Sequence, residues 1–164
     1  MNPAHLHLIL NHFPIITPII GLLVMISGIA LKSEIIKRVA YVLLIMGAVS
    51  AFAAAATGDG AEEVVEHIQG ISHKLIHEHE EKAELFAILS YILAAISGFG
   101  LWANWKQKPF SNLISFVTIA FCAVTLFFAQ QTGTSGGEIR HTEMNGQSVN
   151  APTNGGEQEE KEEH

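Results

Sequence analysis

Phe13–Leu31, Val39–Gly58, Leu85–Trp105 and Pro109–Ala129 are four runs without a single charged residue. Each is long enough to cross a hydrocarbon core of ~30 Å as a helix rising ~1.5 Å per residue. Backbone amides in lipid must bond within their own segment or within a closed barrel, and these runs lack the two-residue alternation of barrel strands. The expected fold is therefore all-α, an integral membrane four-helix bundle. A chain that is 49% hydrophobic and 15% charged suits that class better than a soluble domain. Positions 1–12 carry no Lys or Arg and no small-residue cleavage site follows, so the first run is expected to remain as a span and not to be removed as a signal peptide. The single cysteine, Cys122, falls inside the fourth run, which excludes a disulfide framework within one chain and predicts inert packing.

The short connections KSEIIKR (32–38) and KQK (106–108) hold Lys32, Lys37, Arg38, Lys106 and Lys108 against Glu34. The positive-inside rule puts both in the cytoplasm, with both termini and the loop 59–84 on the outward side of a bacterial inner (cytoplasmic) membrane. Trp102, Trp105 and Tyr41 are placed as interfacial anchors. Within the loop, Val64, Ile68, Ile71 and Leu75 recur at helical spacing among Glu and His, predicting an outward-side amphipathic helix between spans two and three. Gly70 would stop a first short helix, and Ser72 would cap a second leading into span three. Residues 1–141 are read as the membrane domain and 142–164 as a disordered acidic tail.

The chain also repeats itself. ISGIAL (26–31) matches ISGFGL (96–101), FAAAATGDG (52–60) matches FFAQQTGTSGG (127–137), and an HxH pair precedes spans one and three as His5/His7 and His77/His79. Two pseudo-repeated hairpins, related by an axis along the membrane normal, are expected. TGDG (57–60) and TGTSGG (132–137) end spans two and four, where Gly58 and Gly133 would be left-handed helix caps.

Histidine is the residue type that this pattern leaves unexplained. His5, His7 and His12 lead into span one, and His67, His73, His77 and His79 lead into span three, so both clusters fall at one end of the bundle. On a helix His5 and His12 share a face and His7 opposes it; His73, His77, Glu81 and Glu84 form one stripe and His79 faces away. Pro14 belongs in the first turn of span one, with His12 at the lipid border, and Pro18 would kink the helix beside it. Neutral imidazole is the commonest metal ligand, and two opposed histidines on different helices are what a six-coordinate b-type haem needs. The leading expectation is haem b held by His12 and His77 for electron transfer, with His5, His79 and His141 as alternates. A second is a divalent transition metal ion on His12, His67, His77, Glu63 and Glu81, with Asp59 orienting an imidazole. A third has no cofactor: a structural membrane subunit that docks a partner, its loop histidines solvated and paired with glutamates. The expected partners are the lipid bilayer and a redox protein or membrane complex. A net charge of −7 argues against nucleic acid. No P-loop or dinucleotide fingerprint points to conventional catalysis.

In order and spacing, His12-Phe13-Pro14 entering span one, Thr57-Gly58-Asp59 ending span two, histidines in the 2–3 loop, and Gly136-Gly137-Glu138-Ile139-Arg140-His141 after span four resemble a bacterial family of four-span membrane proteins of unknown function. The resemblance covers roughly residues 5–141. It implies the four-helix fold and an outward cluster including His12, a loop histidine and His141, and it implies no reaction.

Overall fold

The structure, a computed structural model, describes residues 3–66 and 73–149, with side chains described for 4–64 and 73–139. Its elements are α1 (Pro3–Leu10), α2 (Phe13–Ala30), α3 (Glu34–Ala55), α4 (Gly58–Glu66), α5 (His73–Trp105) and α6 (Ser111–Val149). There is no strand among the described residues, and four helices are long and apolar enough to cross a membrane. The amphipathic helix expected after span two is α4, while Ile68, Gly70, Ile71 and Ser72 lie outside the described residues. Helix α6 runs past the expected boundary at 141 to Val149, and 150–164 of the acidic tail also lie outside.

Proline divides the first span from its lead-in. Pro14 has no N–H to give to Leu10, so α1 ends on the bond from Asn11 N–H to the His7 carbonyl, and α2 restarts with the bond from Ile16 N–H to the His12 carbonyl. Pro14 then sits in the first turn of α2, where a missing donor costs nothing. Pro18, inside α2, is buried, and a Cβ on Gly47 of α3 would come within 3.0 Å of its ring.

The two hairpin turns are the same structure made twice. Lys32 and Gln107 adopt left-handed φ values of 51° and 50°. Ser33 N–H bonds back to Gly28 O and Lys108 N–H to Ala103 O, both at 2.9 Å, which is the helix-ending Schellman pattern. These turns set the register of the repeat. Phe52 and Thr57 then correspond to Phe127 and Thr132, as the sequence match has it, but ISGIAL and ISGFGL do not correspond. Gly28 is buried against Lys37 and its counterpart is Ala103, whereas Gly98 faces open space. The glycine caps expected at Gly58 and Gly133 are not formed either: Gly58 begins α4, Gly133 lies inside α6, and neither has a left-handed φ. Among the described residues the left-handed turns at Lys32 and Gln107 lie at the basic end, and at the histidine end it is Gly136 that serves close approach, to the His79 ring.

Helix α2 packs on α3, α3 on α5, α5 on α6 and α6 back on α2, closing an up-down-up-down ring. Between 28% and 39% of each apolar window is buried within the protein, so most of its apolar surface points out, as hydrocarbon solvent allows. Small residues fill the interior: Gly21, Gly28, Gly47, Ala48, Ala51, Gly100, Ala103, Ser97, Ser115, Thr118 and Thr125. Leu44, Leu93 and Cys122 meet at its centre, so Cys122 is packing material. Trp102 and Trp105 are exposed as interfacial anchors are, but Tyr41 is not one. It is fully buried, and its hydroxyl meets Ser115 Oγ at 3.0 Å, because Gly100 leaves room for the ring.

At the basic end a polar network ties three helices together. Lys37 is 2% exposed; its ammonium pairs with the Glu34 carboxylate at 2.6 Å and donates to Asn112 Oδ1 at 2.8 Å. Asn104, 1% exposed, donates to the other Glu34 oxygen and accepts from Arg38 Nε at 2.7 Å. Glu34→Ala strands a buried ammonium on one amide oxygen and is expected to cost about 1–3 kcal/mol. The check is the apparent melting temperature in detergent, with Glu34→Ala/Lys37→Met recovering most of the loss. A double variant no more stable than Glu34→Ala would show that the pair is not what stabilises this end.

Candidate functional site

Two imidazoles at the histidine end are anchored in the same way. His7 Nδ1 of α1 lies 3.0 Å from Ala54 O and 3.1 Å from Thr57 Oγ1, at the end of α3. His79 Nδ1 of α5 lies 3.0 Å from Ser135 Oγ of α6, with the Thr132 carbonyl against the same ring. In each case the partners are a carbonyl and the hydroxyl three residues later. Each hydroxyl spends its own proton on that carbonyl, Thr57 on Ala54 at 2.9 Å and Ser135 on Thr132 at 3.0 Å. Carbonyl and hydroxyl oxygen are therefore both acceptors toward the ring, and Nδ1 is the donor. In the neutral ring, Nε2 carries the free lone pair.

A glycine admits the His79 ring: a Cβ on Gly136 would lie 3.1 Å from His79 Cε1, whereas one on Gly58 would lie at an ordinary contact distance of 4.0 Å from His7 Cε1. Thr57 and Ser135 thus play the same part, although register pairs Thr57 with Thr132. The Thr132 hydroxyl is taken up by the Lys82 and Phe128 carbonyls at 3.0 and 3.1 Å, so His79 docks one turn further along α6. Both rings are half-buried, and they are near enough for the charge of one to act on the other.

The other candidates stand differently. His12 is exposed, its Nδ1 donating to Leu8 O of its own chain segment at 2.8 Å. His77 is exposed, with Nδ1 3.5 Å from Glu80 and Nε2 3.4 Å from Glu81, both on its own helix. The structure therefore does not aim the pair His12 and His77 into the bundle. His5, His73, Glu63 and Asp59 are exposed as well. Asp59 holds no imidazole among the described residues; Thr57 and Ser135 orient the rings instead. His141 lies in α6 beyond the described side chains, and His67 lies outside the described residues. No group of three His, Cys, Asp or Glu side chains placed to hold a metal ion occurs among the described residues.

Helical phase put His7 and His79 off the favoured faces because it treats each helix alone. The usable signal was the second histidine of each HxH pair combined with the Thr57-Gly58 and Ser135-Gly136 dipeptides after spans two and four. What the arrangement offers chemically is two neutral, oriented imidazoles presenting Nε2 at one end of a membrane bundle. Imidazoles of this kind are able to ligate a transition metal or haem iron.

The sequence model of one family, described as predicted membrane protein (DUF2231), matches residues 3–145. The chain belongs to this family, whose function is unknown. No curated protein and no solved structure matches it.

Proposed function

We propose that this integral membrane member of the DUF2231 family is an electron-transfer protein of the bacterial inner membrane, with His7 and His79 as Nε2 ligands of one b-type haem on the outward side. The observation that carries the reading is the duplicated anchor, a carbonyl and hydroxyl holding each Nδ1. A backbone carbonyl on the far nitrogen is the usual companion of a ligating histidine, since it fixes the tautomer and raises ligand basicity. Haem fits two protein ligands better than a bare ion does, because the porphyrin brings the equatorial nitrogens itself. The basic turns support an outward histidine end through the positive-inside rule. The bound iron would supply one-electron chemistry; the protein would hold it, raise the basicity of the two imidazoles through their Nδ1 partners and limit its exposure. His12, His77, His5 and His141 are the alternates.

The test is the reduced-minus-oxidised spectrum of protein purified in mild detergent from haem-replete cells, which should show the sharp bands of low-spin b haem. A colourless protein with one equivalent of zinc, copper, iron or manganese would move the reading to a non-haem metal; neither cofactor would leave a structural subunit that docks a partner. Thr57→Val keeps the shape and removes one acceptor from His7 Nδ1. It is expected to weaken haem binding about tenfold, the lower end for lost partners of a ligating histidine. Haem titration of the apoprotein checks this, and an unchanged affinity would count against His7 as ligand.

A further inference from the structure

At the basic end, on the outer surface of the bundle, Ile35, Val39, Val42, Leu101 and Trp105 line a groove between α3 and α5 with Arg38 at its edge. We propose that this groove holds one anionic phospholipid, its phosphate on the Arg38 guanidinium and an acyl chain along the apolar floor.

Three observations carry the assignment. The first is that Arg38 is positioned. Its Nε donates to Asn104 Oδ1 at 2.7 Å, and Asn104 is itself 1% exposed and held by Glu34. The guanidinium carbon also stands 5.9 Å from the Trp105 ring centre. The second is that its terminal nitrogens meet no protein acceptor among the described residues. The one nearby carboxylate, Glu34, is engaged by Lys37 and Asn104. A planar fork with one edge fixed and the other open matches a phosphate better than a point charge does. The third is the company it keeps. Lys32, Lys106 and Lys108 lie at the same end, and Lys108 stands 5.7 Å from the Trp102 ring, so the local charge favours an anion. The apolar floor favours an amphiphile over a free phosphate, because a small anion would leave Val39, Val42 and Leu101 uncovered.

Trp105 reports on the site directly. With Trp102→Phe, it is the only tryptophan in the full chain. In phosphatidylcholine nanodiscs, brominated phosphatidylglycerol should quench it at about fivefold lower mole fraction than brominated phosphatidylcholine, the preference that one basic residue provides near a bilayer. Arg38→Gln should remove that preference and Lys74→Gln, an exposed cation at the histidine end, should keep it, with helicity checked by circular dichroism. Excess inorganic phosphate should leave the quenching unchanged. Equal quenching by the two lipids, an unaltered preference in folded Arg38→Gln, or reversal by phosphate would each overturn the proposal. If Arg38→Gln does not fold, native mass spectrometry of the unmodified protein decides: one phosphatidylglycerol retained over phosphatidylcholine supports the site, and no preference overturns it.

Discussion

His7→Ala and His79→Ala are each expected to abolish the low-spin haem spectrum, while His12→Ala and His77→Ala keep it. The expectation rests on geometry, not on depth in the sequence motif. His7 and His79 have Nδ1 bonded to the ends of neighbouring helices and Nε2 left free. His12 is exposed and bonded to its own segment, and both nitrogens of His77 face glutamates one turn away on α5. Losing a direct ligand should lower haem occupancy more than the tenfold or greater loss that follows removal of a supporting partner. Added imidazole should restore part of the spectrum in the two alanine variants, because the vacated space fits the missing ring. The reverse pattern, with His12→Ala and His77→Ala colourless, would return the site to those two histidines. Four coloured variants would remove histidine ligation by these helices altogether.

Gly100→Ala is expected to be the most destabilising single methyl in the membrane domain. A Cβ there would lie 2.5 Å from Tyr41 Cζ and 2.7 Å from its hydroxyl oxygen, inside the ring's own contact radius. Tyr41 cannot swing aside cheaply: it is fully buried, joined to Ser115, and packed with Met25 and Ala40. Overpacking of this kind costs about 1–3 kcal/mol, a drop of several degrees in apparent melting temperature. Gly98→Ala is the control, since its Cβ meets nothing within 4 Å and alanine improves helix propensity by up to about 1 kcal/mol. Gly100→Ala/Tyr41→Ala should be less destabilised than the sum of its parts, because the clash is removed with the ring. Equal melting of Gly98→Ala and Gly100→Ala would show that Tyr41 does not fill the notch at Gly100.

Much of the bundle was legible because lipid imposes one rule on every residue in a span. Runs of uncharged residues, the basic turns, Pro14 in the first turn of α2 and the duplicated hairpin all follow from local composition. Tyr41 was misplaced for an instructive reason. A tyrosine near a basic turn suits an interface equally well in any sequence, and only the absence of a side chain at Gly100 on another helix makes room to bury it. Gly58 and Gly133 were misread in the same direction, as caps. The conformational freedom of glycine is visible in a sequence, but the ring of His7 lying beside Gly58 is not.

The sequence by itself determined that this chain is a four-helix membrane protein, with basic turns at one end and histidines at the other. Those properties depend on hydropathy, charge and helix length, each additive along the chain. Only the tertiary structure decided which histidines are held. Selecting His7 over His12 depends on the Thr57 hydroxyl, and selecting His79 over His77 depends on Ser135, each supplied from outside the histidine's own helix. Those partners meet at single hydrogen-bond distances, and such distances are set by how helices pack, which no helix's own periodicity contains.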